Sequence, residues 1–83
     1  MDPTINVNQP IKVIAIFKNN HCYPVKFYYK NQLIIVQEIS LQHPTHSGQT
    51  ICHIFDINDG QTDYRLEFNA SSLQWKLIAL INV

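Results

Sequence analysis

From Asp63 to Phe68 the chain alternates without a break: Tyr64, Leu66 and Phe68 are apolar, and Asp63, Arg65 and Glu67 are charged. A period of two with strictly polar partners predicts a strand with one buried and one wet face. Weaker versions of the pattern flank it. Ile11–Lys18, Val25–Tyr29, Leu33–Ile39, Thr50–Ile57 and Leu73–Ile81 are rich in β-branched and aromatic residues, which suit a pleated surface. Between them lie Asn19-Asn20-His21, Lys30-Asn31-Gln32, Asn58-Asp59-Gly60 and Asn69–Ser72, where Asn and Gly supply the positive φ that tight reversals need. Residues 40–49 hold Pro44, Ser47 and Gly48 and read as the longest loop. Residues 1–10 show no period and read as a loose lead-in to a single domain over 11–83. The expected fold is all-β: an antiparallel meander of about six strands, as a bent sheet or an SH3-like open barrel.

Three of these strands carry more apolar surface than one face requires. Ile11–Lys18 alternates Ile11, Val13, Ala15 and Phe17 with Ile14 and Ile16; Leu33–Val36 is apolar throughout; Leu77–Ile81 is apolar on both sides and reads equally as a turn of helix. A chain of 83 residues has a thin core. Charged residues are only 14% of it, against a usual level of about 25%. Surplus apolar surface with few charges marks an association site. The expectation is a non-enzymatic interaction module that self-associates as a homodimer through its last strand, with Leu73, Trp75, Leu77, Leu80 and Ile81 at the interface.

Net charge is zero, so no overall electrostatic drive toward nucleic acid exists. The halves differ mildly: residues 1–41 hold four Lys against Asp2 and Glu38, and the remainder holds four acids against Arg65 and Lys76. One local constellation supports an alternative function as a nucleic-acid accessory module. Lys26, Tyr28 and Lys30 fall on one side of the second strand, where a ring between two ammonium groups could stack a base. His43, His46 and Cys52 form a candidate metal set, but neighbouring strand residues point to opposite faces and the paired spacings of zinc sites are missing. Asp56–Gly60 departs from a calcium loop because Asn58 and Asp59 are adjacent. Cys22 beside His21 lacks the surroundings that activate a thiol. No cofactor and no catalytic residue is expected. The polar N-terminus holds no signal-peptide core, which makes the cytoplasm the expected compartment and free thiols the expected state of Cys22 and Cys52.

Val13–Phe17, Pro24–Tyr29, Ile35–Ile39, His53–Ile57, Asp59-Gly60, Tyr64–Phe68 and Trp75-Lys76-Leu77, in that order, resemble a family of small uncharacterised bacterial all-β proteins. The resemblance spans about residues 11–78 and departs from the family at Lys30–Ile34, where a Gly and an aromatic are usual. It implies a compact β fold and no established activity.

Overall fold

A computed structural model describes residues 4–82. The described residues form seven strands: β1 Thr4–Lys18, β2 His21–Tyr29, β3 Gln32–Ile35, β4 Glu38–Ser47, β5 Thr50–Asn58, β6 Asp63–Asn69 and β7 Gln74–Ile81. All pair antiparallel in one sheet of order β3-β2-β1-β7-β6-β5-β4, and the sheet does not close into a barrel.

The sheet bends because β1 serves two neighbours in succession. Thr4–Ile11 pairs with β7, and Lys12–Lys18 pairs with β2. A register shift between Asn6 and Gln9, with Asn8 at positive φ, kinks the strand within its first half, and a second shift follows Ile14. The opposite corner is just as tight. Only Val36 and Gln37 separate β3 from β4, although these strands are the two ends of the sheet order. Two residues reach only about 10 Å from strand to strand, so the sheet must bend until the start of β4 lies beside the end of β3, while the two strands stay unpaired. Val36 N donates to Val25 O and Gln37 N to Asn58 O, which ties the connection to both sides.

Two leaves result. The first is β3, β2 and the second half of β1. The second is the first half of β1 with β7, β6, β5 and β4. Their inner faces share one core: Phe27 and Ile34 from the first leaf, and Phe55, Ile57, Tyr64, Leu66, Phe68, Trp75 and Leu77 from the second. Aromatic pairs fix the contact, with Phe27 edge-on to Tyr64 at 5.3 Å and Trp75 4.8 Å from Phe68.

Several expectations need correction. Residues 4–10 are strand, not lead-in, because β7 pairs with them; residues 1–3 lie outside the described residues. The expected loop over 40–49 is mostly β4, with the reversal confined to Gly48-Gln49. Pro44 is tolerated because β4 is an edge strand and needs no ladder donor on its free side. The expected strand Leu33–Ile39 breaks at Val36, where consecutive amides bond to different leaves. The C-terminal segment is strand through Ile81.

Candidate interaction surface

The expected interface on the last strand does not survive folding. Trp75 and Leu77 are core residues, Leu80 packs against the core, and Ile81 is half-buried between β1 and β6. Only Leu73 is open, at 70% exposed, and it stands alone in a turn at positive φ. Trp75, Leu77 and Ala79 are covered because they face the core between the leaves, and β7 has no free edge because β1 and β6 pair with its two sides.

Five of the exposed large hydrophobics gather on the outer face of the first leaf, while Ile5, Phe17, Leu41, Ile51 and Leu73 are exposed elsewhere. Register sets Lys12 beside Tyr28 and Tyr28 beside Leu33; one row on, Ile14 stands beside Lys26 and Lys26 beside Ile35; Ile16 follows beside Tyr23. Ile14, Ile16, Tyr28, Leu33 and Ile35 are each between 41% and 50% exposed. Alternation puts them there, because their neighbours Val13, Ala15, Phe27 and Ile34 face the core.

Charge is segregated in the same way. Thr4–Ile35 contains Lys12, Lys18, Lys26 and Lys30 and no acidic residue. The second leaf and its turns hold Glu38, Asp56, Asp59, Asp63 and Glu67 against Arg65 and Lys76. The second leaf carries both signs and holds one ion pair among the described residues. Arg65 grips Asp56 through Nε at 2.8 Å and a terminal nitrogen at 3.0 Å, a two-point pairing that raises the guanidinium pKa. Glu67 stands opposite Lys76 in register, and Asp63 accepts from Asn58 and Asn82. Among the described residues, none of the four lysines of the first leaf has a carboxylate within ion-pair distance.

The expected set Lys26, Tyr28 and Lys30 is only partly assembled. Lys26 and Tyr28 share the outer face. Lys30 sits in the β2–β3 turn, with its ammonium 5.4 Å from the centre of the Tyr29 ring. Lys12, Tyr28, Tyr29 and Lys30 help line a shallow hollow of about 700 Å³ at the edge of this face.

A second hollow of about 790 Å³ lies where the β1–β2 turn meets β4 and β5, lined by Phe17, His21, Cys22, His43, His53 and Phe68 among others. Gln42 spans it by donating to Cys22 O at 3.3 Å, and the His53 ring lies on Phe68. Burial pushes the Cys22 thiol pKa up, away from the thiolate that nucleophilic chemistry needs. The candidate metal set is dispersed: His43 stands opposite Ile54, His46 opposite Ile51 and Cys52 opposite Thr45. Among the described residues, no three His, Cys, Asp or Glu converge as metal ligands. The Asp56–Gly60 segment turns its carboxylate inward as a turn brace, with Asp59 accepting from the amides of Gln61 and Thr62.

Sequence reasoning missed Lys12, Ile14, Ile16, Leu33 and Ile35 as one surface. Their double-sided apolar strands were visible; which strands end up uncovered was not. No protein-family model, curated protein or solved structure matches the chain. Among the described residues, no helix is long and apolar enough to cross a membrane.

Proposed function

We propose that this is a non-enzymatic protein-interaction module whose working surface is the outer face of β1–β3. The observation that carries the reading is the contrast between the leaves. The second leaf mixes acids and bases and holds the Arg65–Asp56 pair; the outer face of the first interleaves large exposed apolar side chains with lysines, and its strands hold no acid. A face of this kind is complementary to a partner that offers apolar and acidic side chains together. Stacking this face on its own copy would set lysines against lysines, so a two-fold face-to-face dimer is disfavoured. The two cysteines are unpaired, which suits a reducing compartment such as the cytoplasm.

The lysines also keep a nucleic-acid reading in play. Stacking needs aromatic planes, however, and this face exposes Ile14, Ile16, Leu33 and Ile35 against Tyr28.

Selection of random peptides against the immobilised protein separates the two. Recovered sequences are expected to interleave Asp or Glu with large apolar residues. Their affinity should fall about tenfold, or about 1.4 kcal/mol, in Lys26→Glu and in Ile14→Asn. Peptides without acidic residues, or binding that ignores both variants, would discard the proposal. Salt-dependent binding of a single-stranded oligonucleotide, lost in Tyr28→Ala, would replace it with the nucleic-acid reading.

A further inference from the structure

We propose that two copies of the chain pair through β3, edge to edge and antiparallel, about a two-fold axis at Ile34. This goes beyond the role of the outer face and does not depend on it.

The hydrogen-bond phase of the β2–β3 ladder identifies the free groups. Lys30 and Asn31 both take positive φ (49° and 60°), a two-residue turn that makes Tyr29 and Gln32 a mutually bonded pair. At the other end Val36 N bonds to Val25 O at 2.9 Å, in the same phase. Bonded and non-bonded pairs alternate along an antiparallel ladder. Phe27 and Ile34 therefore bond to each other, while Leu33 and Ile35 turn their N–H and C=O groups away from β2. Among the described residues, no strand pairs with that side of β3, and no turn, loop or side-chain hydrogen bond engages the backbone of Leu33 or Ile35.

The other edge of the sheet is blunted. On β4, Pro44 has no N–H, the register slips at Ser40, and Gln42 reaches across to Cys22 O. β3 has none of these protections beyond its shortness. Its two outward residues are also half-exposed aliphatics, Leu33 and Ile35, so the backbone and side chains that want cover coincide.

A second copy fits this edge by symmetry. Running antiparallel about Ile34, it places Leu33 of one chain opposite Ile35 of the other, twice. Two N–H and two C=O groups from each copy are satisfied, with none left over. The strand turns off at Lys30-Asn31 on one side and at Val36 on the other, so pairing closes at two copies and does not propagate. Zero net charge sets up no long-range repulsion. The Lys26 side chains would stand about three strand spacings apart, roughly 14 Å, beyond the screening length of about 8 Å at physiological salt. Pairing makes one continuous face of six strands from the two first leaves.

Amide exchange measured residue by residue at rising protein concentration, alongside sedimentation, tests the proposal on the unmodified chain. Leu33 and Ile35 amides are expected to exchange freely when dilute and to gain protection as the dimer sediments, while Ile34 stays protected throughout. Ile35→Pro removes one outward N–H and no β2–β3 bond, so it is expected to fold and to sediment as a monomer; Ile14→Asn is expected to dimerise like the parent. A protein that stays monomeric at high micromolar concentration overturns the proposal. So does a dimer whose Leu33 and Ile35 amides remain open. If Ile35→Pro fails to fold, the exchange pattern of the parent decides alone.

Discussion

Replacing Phe27 by alanine is expected to cost about 3–5 kcal/mol of folding stability, a large part of what a domain of this size holds. Phe27 is fully buried. Among the described residues, the first leaf gives the core cluster two buried hydrophobics, Phe27 and Ile34, against seven from the second. Phe27 lies at the meeting of the leaves, edge-on to Tyr64 at 5.3 Å. Its loss would leave a cavity lined by strands fixed by their ladders on both sides, so collapse into the void is limited. In urea the midpoint should fall with an unchanged slope, since the folded surface stays nearly the same. Phe17 provides the control. It is 65% exposed and meets Phe68 edge-on at 5.9 Å, so Phe17→Ala should cost about 1 kcal/mol. Equal losses for the two phenylalanines would mean that the first leaf is not closed over the second by Phe27.

The strand content was legible because β6 and its neighbours keep a clean two-residue period and because Asn and Gly stand at the reversals. Asn19-Asn20 and Lys30-Asn31 take positive φ, as the turn chemistry requires. Three features were hidden. Thr4–Pro10 is mostly polar and becomes strand only because β7 offers a ladder, a tertiary cause with no local signature. Pro44 and Gly48 look like breakers, yet an edge strand tolerates one and a two-residue turn uses the other. The third is cover. Double-sided apolar residues on strands one, three and last say that cover is needed, but sequence does not say who supplies it. β7 receives it from within the sheet, while Ile14, Ile16, Leu33 and Ile35 do not. The charge pattern shows the same limit. Two halves of the chain differ by little, but the first leaf gathers four lysines and no acid. That segregation becomes visible only once the bend in β1 defines the leaves.

Asp59→Ala is expected to give the next largest loss, about 2–3 kcal/mol, because several charge-assisted bonds converge on one carboxylate. One oxygen accepts the amides of Gln61 at 2.9 Å and Thr62 at 2.7 Å; the other accepts the Tyr64 hydroxyl at 3.0 Å. Burial acts to raise the Asp59 pKa, but the donors on the Thr62, Gln61 and Tyr64 side outweigh it and hold the group below its ordinary range. A folded pKa below the unfolded one means that the unfolded chain binds the extra proton. The stabilisation is therefore complete above the ordinary carboxyl value of about 4 and is lost as pH falls through the depressed value. Tyr64 has the opposite sign. Burial first, then its bond to Asp59, pushes its pKa up to about 12 from 10.0. Its share is complete below the unfolded value and is lost as pH rises toward the folded one. One hydrogen bond thus contributes to both shoulders of the stability–pH curve. Asp59→Ala should remove the acid shoulder and lower the alkaline one, while Tyr64→Phe should abolish the alkaline shoulder and leave most of the acid one. Urea melts of the two single variants and the double variant, repeated across pH, give the coupling directly. Additive losses, with both shoulders intact in Asp59→Ala, would show that this bond does not brace the β5–β6 turn against the core.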